Sequence, residues 1–123
     1  MNTKVKSYRD LLVWQKSFKL VKLVCQLTRS SPAVERSGFV SQMRRAAVSL
    51  PSDLAEGHAR NTTGESIQFV SHAQGPPAEL ETQVILSVEL AFCLSVEVQP
   101  LRALIAEIQK MADALRCSLA SRP

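Results

Sequence analysis

The sequence predicts an all-α fold, an antiparallel up-down-up-down four-helix bundle, on three observations. Apolar residues recur at three- and four-residue steps in four successive stretches, the spacing that gathers them on one face of a helix. Aromatic residues make up only 5% of the chain and glycine only four positions, low for a sheet protein and natural for a bundle. The connections between stretches are short, which makes successive helices antiparallel neighbours.

The first helix runs from Tyr8 or Asp10 to about Arg29, after a basic tail at residues 1–7. Leu11, Trp14, Phe18, Val21 and Cys25 form its apolar stripe, widened by Leu20, Val24 and Leu27, and Lys16, Lys19 and Lys22 line the other side. Trp14 reads as a core or interface anchor with its indole nitrogen near a polar edge. Ser30, Ser31 and Pro32 make a connection, because the residue before a proline is pushed out of the helical region.

The second helix begins near Val34 to Ser37 and buries Val40, Met43, Ala47, Leu50 and Leu54 on one face, with Ser41, Arg44, Arg45 and Ser52 mostly off it. Pro51 lies inside this pattern. It removes a backbone donor and crowds the carbonyl of Ala47, so a kink is expected near Ala47 to Leu50, with Ser49 as a cap for the restart. Gly57 ends or loosens the helix, and Asn61 opens a polar loop.

Thr62 and Glu65 have capping-box spacing and start the third helix. Ile67, Val70 and Ala73 form one stripe, and Leu80, Val84, Val88 and Ala91 form another after Gly75-Pro76-Pro77. Two prolines there predict a kink or a break, since each helix-interior proline costs ~3 kcal/mol. Val96 to Pro100 is the final connection, with Pro100 at the first position of the last helix, where its missing donor has no partner to lose. Leu101, Leu104, Ile105, Ile108, Met111, Ala112, Leu115 and Leu119 complete that helix.

A chain of 123 residues is one domain, with an ordered core over about 8–119, and at that length roughly two thirds of the unfolded surface can be buried. No apolar run approaches the ~20 residues needed to span a bilayer. The lysines of MNTKVKSYRD have no apolar segment behind them of the kind a signal peptide needs, so no membrane is expected as a partner and the cytoplasm is the expected location. Cys25, Cys93 and Cys117 are odd in number, widely spaced and free of any CxxC pair, which gives a zinc site little support. They read as small core hydrophobes of a reduced protein, with an intersubunit disulfide as the other reading.

Charge is unevenly placed. Residues 1–60 hold eleven Lys or Arg against four Asp or Glu, a net +7, whereas residues 61–123 hold four against seven, a net −3. This asymmetry fits either a polyanionic partner or a solvated charged face. Lys16, Lys19, Lys22, Arg44 and Arg45 are the candidates for a phosphate-binding surface that would take RNA or DNA. Glu56 and Arg60, four residues apart, are the candidates for a structural ion pair; Glu79 and Glu81 are the other polar residues of note.

Enzymatic patterns are missing from the sequence. A di-iron bundle needs Glu-x-x-His on two helices, and neither His58 nor His72 follows a glutamate by three residues. There is no GxSxG, no Cys-His signature and no GxxxxGKS phosphate loop. The expectation is therefore no catalytic residues, no metal, no cofactor and no small-molecule substrate.

RRAAVSLPSDLAEGHAR, with YRDLLVWQKSFKLV before it and AELETQVILSVEL after it, resembles the bacterial four-helix-bundle family often called the 23S ribosomal RNA intervening-sequence proteins. The resemblance covers about Tyr8 to Leu119, and its most specific part is the RRAAVS-P-S-AEG core. It implies an up-down-up-down bundle, a ring of five subunits and no established enzymatic activity. Members are sometimes labelled ribosomal proteins, a label that reflects where some of their genes sit. A related branch, the accessory proteins of diversity-generating retroelements, is a basic pentamer that binds nucleic acid and a reverse transcriptase. Two departures stand out: the prolines after Gly75, where the family's helix continues, and Asp53, where the family has asparagine and this chain adds a negative charge beside the basic region.

Overall fold

Apolar spacing of three and four residues becomes helix throughout the computed structural model of the protein, which describes residues 8–29, 33–60 and 62–121. The tail expected at residues 1–7, the Ser30-Ser31-Pro32 connection and Asn61 lie outside the described residues. Tyr8–Asp10 form a 3₁₀ turn, followed by α1 (Leu12–Arg29), α2 (Ala33–His58), α3 (Thr63–His72), α4 (Gly75–Glu89) and α5 (Ser95–Ala120). Among the described residues there is no strand.

Two helices supply most of the core, joined by Val13, Leu20 and Val24 of α1 and Leu80 and Val84 of α4. From α2 come Met43, Ala47, Leu50 and Leu54, and from α5 Leu101, Leu104, Ile105, Ile108 and Ala112. α1 and α4 each pack against both of these, while α3 lies on α2 and α5.

In α1 the buried face is rotated from the expected one, keeping Leu20 and Val24 from its margin. The core takes Val13, Ser17, Leu20, Val24 and Thr28, whereas Leu11, Trp14, Val21 and Cys25 are only half-buried and Phe18 is exposed. The hydroxyls explain how two polar residues enter the core. Ser17 donates to the Trp14 carbonyl at 2.5 Å and Thr28 to the Val24 carbonyl at 2.7 Å, so neither buries an unsatisfied donor. α1 is thus apolar on two sides: one enters the core, and on the other Leu11, Trp14 and Val21 pack half-buried against the core's edge while Phe18 is exposed.

Caps set the remaining boundaries. The Thr62 hydroxyl oxygen accepts from the Glu65 amide at 3.1 Å and donates to the Glu65 carboxylate at 3.0 Å, so the predicted cap starts α3. The last helix starts five residues before the predicted Pro100, because the Glu97 carboxylate accepts the Leu94 amide at 2.7 Å. Pro100 therefore lies inside α5. Ala91, expected on an apolar stripe, is exposed and has φ 62°. It occupies the left-handed position of a Schellman turn: the Ala91 amide donates to the Val88 carbonyl at 3.0 Å and the Phe92 amide to the Ser87 carbonyl at 2.8 Å.

Prolines act differently in α2 and α4. Pro51 lies within a helix that runs from Ala33 to His58, and Ser49 does not cap a restart: its hydroxyl donates back to the Ala46 carbonyl at 2.9 Å. The third apolar stretch forms two helices, with Ala73 and Gln74 between α3 and α4 and with Pro76 and Pro77 in the first turn of α4. That turn has no intrahelical acceptor for its amides, so proline removes no bond there.

Helices α2 and α3 approach closely at one glycine. A Cβ on Gly57 would stand 3.0 Å from Phe69 Cβ, so α2 and α3 touch where α2 has no side chain. Beside this contact the Arg60 guanidinium lies 3.9 Å from the Phe69 ring centroid.

Candidate interaction surface

The second apolar side of α1 lines a groove on the outside of the molecule. Trp14 stands between Tyr8, 5.3 Å away edge-on, and Phe18, 4.3 Å away and tilted. These rings and Val21 meet Val48, Pro51 and Ala55 of α2 along a groove of about 470 Å³, with Lys22 and Ser52 at its margin. Phe18 and Val48 are nearly half exposed, at 46% and 49%.

The five predicted basic residues divide into two groups. Lys16 pairs with Glu107 of α5 at 3.5 Å, and the Arg44 Nε donates to the Thr28 hydroxyl at 2.9 Å. Both side chains hold helices together. Lys19, Lys22 and Arg45 are exposed, and Lys22 lines the aromatic groove. Sequence reasoning could not separate the groups, because the partners Glu107 and Thr28 lie on other helices.

Glu56 and Arg60 do form the expected pair, at 3.6 Å, with both side chains largely in solvent; such pairs contribute about 0.3–0.5 kcal/mol. Nearby Asp53 is half-buried. Burial raises its pKa, with Glu56 adding to the rise and His72 opposing it. On α5 the Asp113 carboxylate is held below the usual range by hydrogen bonds from Arg116 at 2.7 Å and from Gln74 at 3.4 Å. Through Gln74 this joins α5 to the α3–α4 junction.

A second depression, of about 310 Å³, gathers Leu11, the end of α2 (Leu54, Gly57, His58), the start of α3 (Thr63, Ser66) and the end of α5 (Leu115, Leu119). Arg60 and Thr62 also line it. Among the described residues, His58 makes no hydrogen bond to these hydroxyls, and no group of three His, Cys, Asp or Glu side chains could hold a metal ion. His58 and His72 are exposed. Cys25 and Cys93 are half-buried, but Cys117, expected in the core, is exposed on α5; all three are free thiols. No helix is long and apolar enough to cross a membrane among the described residues.

Another apolar surface escaped the sequence reading. Ile85, Leu86 and Leu90 at the end of α4, and Leu94 and Val96 at the start of α5, are exposed at 41% to 72%. The available signal was two further apolar residues, Ile85 and Leu86, off the Leu80–Val84 stripe.

Residues 9–114 match the sequence model of a protein family described as 23S rRNA-intervening sequence protein. No curated protein matches the chain.

Proposed function

Because the chain belongs to the 23S rRNA-intervening sequence protein family, we propose that it is a non-enzymatic, self-assembling four-helix bundle of the cytoplasm that acts by contact, without cofactor or small-molecule substrate. The observation that carries this reading is the exposure of large apolar side chains in two places, Phe18 and Val48 on one face and Ile85, Leu86 and Leu90 on another. Exposed apolar patches of this kind mark interaction sites.

An up-down-up-down course within a single domain fits the grouping of chain ends. The start of α1, the end of α2, the start of α3 and the end of α5 line one depression. Elsewhere Phe39, early in α2, meets Phe92, just after α4, at 5.7 Å. A bend at Pro51 is part of the same reading, since the Ser49 and Ser52 hydroxyls bond the carbonyls of Ala46 and Val48 on either side of Ala47. Five subunits is the number the family resemblance implies. Light scattering and sedimentation equilibrium test it; a monomer at every concentration defeats self-assembly, and a stable number other than five corrects the count.

A second reading is supported by Lys19, Lys22 and Arg45, which are exposed in a basic half of the chain and carry no ion pair among the described residues. On this reading the protein is an accessory factor that binds RNA or DNA phosphates. Electrophoretic titration at two salt concentrations tests it. Binding near physiological salt that is lost in a Lys19→Glu/Lys22→Glu variant supports nucleic-acid binding, and no binding below tens of micromolar rejects it.

A further inference from the structure

We propose that the self-assembly contact is head-to-tail, with the outer face of α4 from one copy lying in the aromatic groove between α1 and α2 of the next. This rests on the self-assembly reading and adds which surfaces meet. Both surfaces are apolar where they would be covered: Phe18, Val48 and Pro51 with Trp14 in the groove, Ile85, Leu86 and Leu90 on the helix.

Charge selects this pairing over a like-with-like contact. α1 carries Lys16, Lys19, Lys22 and Arg29 and no acidic residue. α4 carries Glu79, Glu81 and Glu89 and no basic residue. Lys22 lines the groove, Lys19 and Arg45 are exposed on the two helices that form it, and Glu79 and Glu89 are exposed on α4. A two-fold contact of groove with groove would bring cations together, and one of α4 with α4 would bring carboxylates together. Groove against α4 puts opposite charges at the rim and apolar side chains in the middle, the arrangement of specific interfaces.

The two surfaces are also separate enough for one subunit to use both. α1 and α4 each pack on α2 and α5, so they occupy different corners of the bundle. A contact between unlike surfaces does not saturate in a dimer. It continues until the rotation closes a ring, or without limit as a filament.

Charge exchange gives the test. A Lys22→Glu/Arg45→Glu variant and a Glu79→Lys/Glu89→Lys variant are each compared with the parent chain by sedimentation velocity, with helicity checked by circular dichroism. All four residues are exposed, so the subunit fold is retained. Each variant should raise the apparent self-dissociation constant about tenfold or more, because like charges then face each other at the rim. A chain carrying all four substitutions restores opposite charges with the polarity reversed, and it should assemble again. If either two-residue variant assembles as the parent does, the pairing is overturned while self-assembly stands. The pairing falls in the same way if the four-residue variant fails to recover, or if Lys22→Glu/Arg45→Glu loses only RNA or DNA binding. A parent chain that stays monomeric overturns self-assembly itself and this contact with it.

Discussion

Helices α2 and α4 both carry proline, and they accommodate it by opposite means. Pro51 falls in the middle of α2, where its missing donor has a structural cost, and the helix runs on because Leu50 and Leu54 beside it are 0% and 1% exposed. Pro76 and Pro77 fall in the first turn of α4, where no donor is needed, yet the end of that helix leaves Ile85, Leu86 and Leu90 in solvent. Local backbone chemistry therefore does not decide how firmly a helix belongs to the core. Burial of its side chains does: Leu50 and Leu54 seat α2 across its proline, and Leu80 and Val84, both 0% exposed, seat α4 although Ile85, Leu86 and Leu90 face outward.

The largest effect separating the two helices should come from truncating matched leucines. Leu50→Ala should lower unfolding free energy by ~2–5 kcal/mol, the range for a fully buried leucine, while Leu86→Ala in dilute protein should stay within ~0.5 kcal/mol. Denaturant titration reads both, and equal losses would erase the distinction. Next comes the α2–α3 contact. Gly57→Val should cost ~1–3 kcal/mol by forcing Phe69 aside, whereas Gly38→Ala, with nothing within 4 Å of the added carbon, should gain ~0.4–1 kcal/mol.

A smaller change sharpens the picture of α4. Ala91→Gly should stabilise by ~1 kcal/mol, because glycine adopts the left-handed position without the steric penalty of a Cβ. Thermal melts would show it, and a lower melting temperature would contradict the Schellman assignment. The smallest effect belongs to α2. Asp53 has a raised folded-state pKa, so the stability linked to its protonation is present below the ordinary value of 3.8 and is lost as pH rises through the raised one. Asp53→Asn should therefore raise the melting temperature at pH 7 and make little difference at pH 3.

Much of the fold was readable because its core helices follow a single period. In α5 every residue of the Leu101 to Leu119 stripe is buried or half-buried, and of the α2 stripe Met43, Ala47, Leu50 and Leu54 are buried while Val40 is half-buried. α1 misled for a physical reason. Its greasier side, Leu11, Trp14, Phe18, Val21 and Cys25, outscores the side that enters the core, which includes Ser17 and Thr28, and only the backbone bonds of those hydroxyls reveal why they can be buried. Ala91 and Pro100 misled because helix ends depend on turn geometry and capping more than on apolar spacing. Of the candidate site residues, the Glu56–Arg60 pair was legible from its spacing, while the engagement of Lys16 and Arg44 was not, since cross-helix partners leave no periodic trace.

The wet aromatic shelf of α1 bears on how the protein behaves as its amount changes. A lone subunit keeps Trp14, Phe18 and Val48 against water, and any neighbour that covers them binds the native chain and not the unfolded one. If a second copy is that neighbour, as proposed above, mass action ties endurance to abundance: the melting point should climb as the solution is concentrated, and simple dilution should act as a mild denaturant.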